Sequence, residues 1–358
     1  MARLTKVSVE GFRSIRDPIE IDFPANTPVV LVGENNAGKS NIVRVVDLVL
    51  GEWWPGSHEP EDHEFWDRNP NNGPITVRTH FEGMSGYEHD ISELRWKVTT
   101  AQEPWFRAIL DSGDEKFVSK AIRDQCMCYA IGADRRLSYQ LSYTSKFTLL
   151  AKLMRKFHSK LTEEAPRVDR LKAKFSEIRE IFDEVSEFGN FQTELKNQFG
   201  EMFGRMSYGL QVEFSAYDPS KFFHSLRMQA VENDRVKTLE ELGTGQEQLL
   251  ALAFAHAYAK VFYGGMFLAI EEPEAHLHPL AQEWLARKIR QMCSDGLQIM
   301  ITTHSPAFVD LLGLRGIVLV SKHEGVTSVS ALSWWHFHLH DFCICRIFRN
   351  PMNFDIGV

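Results

Sequence analysis

Eight residues, Gly33-Glu34-Asn35-Asn36-Ala37-Gly38-Lys39-Ser40, have the types and spacing G-x-x-x-x-G-K-S. The glycines let backbone N–H groups curl around phosphate oxygens at a helix N-terminus, Lys39 reaches the outer phosphates, and Ser40 offers a hydroxyl to Mg²⁺. A second group is Met266-Phe267-Leu268-Ala269-Ile270-Glu271-Glu272-Pro273, an apolar run that ends in two carboxylates. Glu271 is read as the metal ligand and Glu272 as the general base that polarises an attacking water. Between them lies Gly243-Thr244-Gly245-Gln246, a glycine-opened helix start whose free N–H groups make a second anion site. Last comes His304 in Thr302-Thr303-His304-Ser305-Pro306, an imidazole at a strand end that can sense a terminal phosphate. A strand ending in a charged turn, or one histidine, is ordinary structure when it stands alone. The order of all four elements argues for function.

These groups need a scaffold, and the hydrophobic pattern supplies one. Leu4, Val7, Val9 and then Ile19, Ile21, Phe23 alternate at period 2 around Arg16-Asp17-Pro18, which predicts two antiparallel strands. Residues 28–32 predict a buried strand leading into the glycine-rich loop, and Ile42, Val43, Val45, Val46, Val49 and Leu50 predict a helix packed on a sheet. Residues 51–74, rich in Pro, Asn, Gly, His and Asp, read as loop; strands return at 75–81, 94–98 and 126–131. From about 145 to 206 the period becomes helical, with one stripe through Leu149, Leu150, Leu153, Met154 and Phe157 and another through Leu171, Phe175, Ile178, Ile181, Phe182 and Val185. Strands follow at 210–217 and 222–231. The last third alternates helix and strand (246–261, 266–270, 280–293, 298–302, 317–320), which implies a parallel sheet with crossover helices.

The composition excludes several classes. The 358 residues are 44% hydrophobic and 25% charged, as in an ordinary globular chain, and no run reaches the ~18 apolar residues that span a bilayer. Residues 1–6 lead straight into a strand pattern instead of a signal-peptide apolar block, so a cytoplasmic protein with no membrane partner is expected. A net charge of −8 rules out a globally basic coat, so any nucleic acid must meet a local patch. Cys126/Cys128 and Cys343/Cys345 form C-x-C pairs and are read as small hydrophobes of a reducing compartment.

Phosphate loop, helix-opening signature, acidic strand and switch histidine, in this order, resemble the ABC-type ATPase head shared by RecF, SMC proteins and the OLD (overcoming lysogenization defect) family. Glu271-Glu272-Pro273-Glu274-Ala275-His276-Leu277-His278-Pro279 and Thr303-His304-Ser305-Pro306 are most similar to the OLD branch, as is the opening Val9-Glu10-Gly11-Phe12-Arg13-Ser14-Ile15. The resemblance covers roughly residues 1–333. It implies an α/β fold: an ABC-type P-loop ATPase head with an antiparallel β subdomain and a helical insertion. It also implies ATP with Mg²⁺ as cofactors. Gly33, Asn35, Asn36, Ala37, Gly38, Lys39, Ser40 and Asn41 would cradle the nucleotide and Arg13 and Ser14 would flank it. Ser40 and Glu271 would hold the metal, with Lys39, Glu272 and His304 serving catalysis. Gly243, Thr244, Gly245 and Gln246 would complete the site of a second subunit. The partners so implied are a homodimer or higher oligomer, a separate nuclease or effector subunit, and DNA, in phage defence or DNA repair. Two alternatives stay open: a regulatory scaffold that holds nucleotide without turnover, and a repair head of RecF type.

Two departures from the family limit the resemblance. The chain stops about 50 residues after His304, where OLD proteins continue into a Toprim nuclease domain, so no nuclease activity is expected. The signature reads Gly-Thr-Gly-Gln where ABC proteins have Ser-Gly-Gly-Gln, which leaves Thr244 as the stand-in for the serine; Gln140 is the candidate Q-loop residue. The organisation expected is an N-terminal lobe at 1–144, a helical insertion at 145–206 serving dimerisation, a C-terminal lobe at 207–333 and an atypical tail at 334–358. Lys146, Lys152, Arg155, Lys156 and Lys160 give a basic helix face, read first as a solvated surface and second as a contact for nucleic acid or an acidic partner. The tail carries His336, His338, His340, Cys343 and Cys345, which a metal could use; a truncation or a shifted reading frame explains it equally well.

Overall fold

The computed structural model describes residues 2–51, 53–99, 102–132, 160–184, 230–232, 235–237, 267–275, 277–306, 308–309 and 315–331, with scattered positions between 157 and 257. The chain divides into two compact units, one built from Met1–Leu137 with Glu240–Val358 and the other from Ser138–Leu239.

The first unit opens with β1 (Arg3–Glu10), β2 (Ile19–Asp22) and β3 (Val29–Val32), followed by α1 (Lys39–Leu50). Four single 3-10 turns between Pro55 and Asn72 lead to β4 (Ile75–Met84), β5 (Ile91–Thr99), β6 (Gln102–Leu110), β7 (Glu115–Phe117), a one-turn α2 (Lys120–Arg123) and β8 (Cys128–Ile131). In the second unit the described elements are α3 (Ala165–Asp183), β9 (Ala230–Glu232) and β10 (Arg235–Lys237), the last two forming an antiparallel pair. The first unit resumes with β11 (Phe267–Glu271), α4 (Pro279–Ser294), β12 (Gln298–Thr303), β13 (Ile317–His323) and β14 (Val326–Ala331).

Two six-stranded sheets result. The order β2-β1-β4-β5-β6-β7 is antiparallel throughout, and Val7↔Ile21 and Val9↔Ile19 place the alternating apolar residues on one inner face. The second sheet, β14-β13-β3-β12-β11-β8, is parallel except for the β13–β14 hairpin. Its central strand β3 is buried at all four positions, as expected where both faces are covered. One hydrophobic cluster contains Val7, Val77 and Trp96 from the antiparallel sheet, Ile42 and Val46 from α1, and Leu31, Phe267 and Met300 from the mixed sheet. Each such aliphatic side chain contributes about 1.5–3 kcal/mol by leaving water, so a truncation such as Ile42→Ala costs about 2–5 kcal/mol. Gln298 stitches the two sheets: its amide accepts from Leu4 N at 2.8 Å and donates to Leu4 O at 2.7 Å.

The strands and helices flanking the phosphate loop and the acid pair lie where the pattern predicts them. β6, β7 and β14 do not appear in the hydrophobic pattern. Pro104 and the charges of β6 hide its alternation, while β7 and β14 are short edge strands whose formation rests on pairing with β6 and β13. The strand expected at 126–131 starts at Cys128, so Cys126 lies just before it; both residues are buried, and burial pushes the Cys126 thiol up to about 12. The expected strands at 210–217 and 222–229, the stripe at 149–154, Gln140, Lys146, Lys152, Arg155, Lys156, His276 and the tail beyond 331 lie outside the described residues. Among the described residues no helix is long and apolar enough to cross a membrane.

Candidate functional site

The mixed sheet brings the chemistry to one edge. Its register sets Glu271, Thr302 and Leu31 in one row across β11, β12 and β3, with Val32 beside Thr303 in the next. The phosphate loop, the acid pair and His304 therefore all leave the sheet at the carboxyl ends of neighbouring parallel strands, where α/β sheets bind ligands.

The loop between β3 and α1 is tightly enclosed. A Cβ on Gly33 would stand 2.0 Å from the Val320 carbonyl oxygen, so no side chain fits there. Gly38 has φ +113 and packs against Thr327, and Asn36 is left-handed at φ 65. Lys39 is 6% exposed and its Nζ donates to the carbonyls of Gly33 and Glu34, each at 2.8 Å. Burial pushes the Lys39 ammonium below its ordinary value, and the charges of Glu272 and Glu274 offset only part of that. Asn35, Asn36 and Ser40 are exposed, while Ala37 is buried.

A polar chain fixes the neighbouring corner. Asn41 donates to Ser14 Oγ at 2.8 Å and accepts from Arg13 Nη1 at 3.3 Å. Ser14 Oγ meets Thr327 Oγ1 at 2.7 Å, and Thr327 Oγ1 donates to Ala37 O at 2.8 Å. Arg13 is held in a left-handed conformation, φ 51, by its N–H donating to Glu64 O at 2.8 Å. Its Nε is buried without a hydrogen-bond partner. Glu64 is itself braced by His58 at 2.7 Å; burial pushes its carboxyl up, and the His58 hydrogen bond with the His58, Arg13 and Arg44 charges outweighs this and holds it below the usual range. An open cavity of about 700 Å³ lies here, lined by Arg13, Ser14, Phe65, Trp66, Arg68 and Lys322 among others.

On the acidic strand, Glu271 closes β11, and its Oε1 is buried with no hydrogen-bond donor. Glu272 is left-handed, φ 46, with its N–H donating to Thr302 O at 3.0 Å, and its Oε1 lies 3.6 Å from His304 Nε2. Glu274 Oε1 accepts from Thr303 Oγ1 and from the His304 N–H, both at 2.6 Å, while its Oε2 is buried and unpartnered. Buried carboxylate oxygens without donors on Glu271 and Glu274, at the same sheet edge that the loop carrying the exposed Ser40 leaves, are hard oxygen donors of the kind Mg²⁺ takes, so these residues fit that ion.

Arg13, Ser14, Lys39 and Asn41 thus meet at the phosphate loop, and Glu272 meets His304. Gly243, Thr244 and Gly245 lie outside the described residues; Gln246 is helical and exposed. Sequence reasoning gave no role to Thr327, whose distance along the chain hides its contact with the loop, or to Glu274, whose place in the acid run was the available signal.

Comparison with known proteins identifies the fold and the family. A family profile described as AAA ATPase domain matches residues 3–81 and 91–309. The chain is 26% identical over 339 residues to the OLD nuclease of Thermus scotoductus, an alignment covering 89% of this chain and 62% of that protein, so it spans less than two thirds of that relative's length. The chromosome partition protein Smc of Pyrococcus furiosus aligns over 172 residues at 27% identity, 46% of this chain and 14% of that protein. Among solved structures, an Smc head domain with an extended coiled coil bound to the C-terminal domain of ScpA, from Pyrococcus furiosus, superimposes with a TM-score of 0.57 at 18% identity, covering 94% of this chain and 98% of that one. An Smc head bound to the C-winged helix domain of ScpA gives 0.53 at 20% identity, over 93% and 99% of the two chains. These likenesses give the fold as an α/β ABC-type P-loop ATPase head. With the profile matched over most of its length, the chain belongs to the AAA ATPase domain family and is related to OLD nuclease and to SMC heads.

Proposed function

We propose that the chain binds Mg²⁺-ATP and hydrolyses it slowly as a head-to-head dimer, coupling nucleotide to association. The observation that supports this most directly is the convergence of Lys39, the Glu271–Glu272 pair and His304 along one edge of the mixed sheet. In this reading the ammonium of Lys39 leaves the carbonyls of Gly33 and Glu34 for the outer phosphates, and the N–H groups of the loop cradle them. Arg13, Ser14 and Asn41 flank the nucleotide. Ser40 and Glu271 would hold Mg²⁺, and the ion would supply charge neutralisation for the transferred phosphoryl group. Glu272 orients the attacking water and accepts its proton, and His304 beside it contacts the terminal phosphate. Gly243, Thr244, Gly245 and Gln246 complete the partner subunit's site, with residues 145–206 as a dimerisation element. Within an OLD-like system the cycle would regulate a nucleic-acid-directed effector, in phage defence or DNA repair, inside the cytoplasm.

Two variants test this reading. Lys39→Ala should abolish ATP binding by calorimetry. Glu272→Gln should keep ATP bound, stop phosphate release and trap the dimer, because the amide keeps the shape of the acid and cannot take the proton. Unchanged affinity in the first variant, or lost binding instead of lost turnover in the second, refutes the assignment.

A further inference from the structure

We propose that Thr327, on the hairpin strand β14, is a positioning residue of the phosphate loop: its hydroxyl sets which way the Ala37–Gly38 peptide faces. The hairpin braces the loop at both ends. The Val320 carbonyl on β13 stands where a side chain on Gly33 would begin, and the Thr327 side chain stands where one on Gly38 would begin. Thr327 is 1% exposed. Its backbone N–H donates to Ser14 O at 2.7 Å, which holds β14 against the turn that carries Arg13 and Ser14.

The protons of the polar chain around it can run in only one direction, because a guanidinium only donates and a carbonyl only accepts. Arg13 donates to Asn41 Oδ1, which leaves the Asn41 amide nitrogen to donate to Ser14 Oγ. The Thr327 hydroxyl has a single proton and gives it to Ala37 O at 2.8 Å. The Ser14 hydroxyl must therefore be the donor in its 2.7 Å contact with Thr327 Oγ1. No backbone N–H among the described residues donates to Ala37 O, so that carbonyl depends on Thr327.

The consequence falls on the other end of the same peptide. In a planar trans peptide the C=O and N–H point in opposite directions, so holding the Ala37 oxygen against Thr327 aims the Gly38 N–H away from it. That N–H meets no acceptor among the described residues, which leaves it for a phosphate oxygen. Gly38, at φ +113, has no side chain to stop the peptide from turning over. Turned over, the peptide would present a carbonyl oxygen where the cradle needs a donor. Thr327 prevents this from 290 positions further along the chain. The inference rests on the nucleotide site proposed above.

The test compares Thr327→Val with Thr327→Ser, reading ATP and ADP affinity by calorimetry and KM and kcat by phosphate release. Valine keeps the shape and loses the proton; serine keeps the proton and loses the methyl. Thr327→Val should weaken ATP and ADP alike by about 10-fold or more, the scale of one hydrogen bond to a charged group. Both nucleotides suffer because the loop N–H groups cradle the phosphates they share. With slow turnover KM follows affinity, so it should rise by a similar factor while kcat changes little. Thr327→Ser should bind and turn over like the wild type. A role confined to stability would lower Tm and, through the folded fraction, kcat, leaving KM and both affinities unchanged. That result, or a serine variant that loses as much affinity as valine, overturns the assignment. If the valine variant does not fold, Thr327→Cys takes its place: its thiol is a weak donor, so affinity below that of serine supports the assignment and wild-type affinity overturns it. A wild-type chain that binds neither nucleotide refutes the proposed function itself, whereas equal binding by wild type and Thr327→Val refutes only the role of Thr327.

Discussion

Replacing Glu274 separates a residue that positions His304 from one that merely follows the acid pair. Its Oε1 accepts from the Thr303 hydroxyl and the His304 N–H, both at 2.6 Å, and Thr303 is completely buried. In Glu274→Ala both donors lose their acceptor, at about 1–3 kcal/mol each. The change also removes the buried Oε2 that has no donor, which offsets about as much as one of those losses. The net is a destabilisation of about 1–3 kcal/mol, or about 2–4 °C in Tm for each kcal/mol. Glu274→Gln keeps a neutral acceptor in place and should lose only about 1 kcal/mol, since an uncharged acceptor binds the same donors more weakly. Calorimetry gives the ordering of Tm, and phosphate release gives its functional side. The backbone N–H of His304 is held by this carboxylate, so Glu274→Ala should lower kcat far more than it raises KM, and Glu274→Gln should recover most of the rate. An alanine variant that melts and turns over like the wild type would refute the reasoning; equal losses in both variants would show that the charge near Lys39, and not the hydrogen bonds, is what matters.

Mixing Lys39→Ala subunits with Gly245→Asp subunits should restore part of the phosphate release that each variant lacks alone, because a mixed dimer keeps one undamaged composite site; a dead mixture in which mixed dimers demonstrably form removes the shared-site mechanism. Lys39 binds phosphate only as the ammonium, and burial has lowered its pKa below the ordinary 10.5, so ATP affinity should fall as pH rises through that depressed value, with proton uptake on binding visible by calorimetry in buffers of different ionisation enthalpy. In the interval between the folded value and 10.5 the unfolded chain binds more protons, so this lysine's contribution to stability rises with pH there. Gly33→Ala should cost about 1–3 kcal/mol of stability, read from denaturant midpoints, because the new methyl would stand 2.0 Å from the Val320 carbonyl and backbone must move.

Much of the scaffold is legible in the chain because its cause is local. A phosphate loop needs glycines where the chain is crowded or left-handed: Gly33 stands against the Val320 backbone, and Gly38, at φ +113, stands against the Thr327 side chain. Strand β3 and helix α1 follow from apolar residues at periods that only a buried strand and an amphipathic helix satisfy. The acid pair announces itself by ending an apolar run. Folding alone decides what depends on register and on contacts between distant segments. Thr327 reaches the loop only because β13 pairs with β3 and the hairpin returns β14 beside it. Glu274 becomes the holder of His304 only because β11 and β12 are parallel neighbours in register. Sequence by itself determines which local backbone geometries are permitted and which residues must leave water; the juxtaposition of side chains from separate strands is set by hydrogen-bond register, which exists only once the sheets have formed.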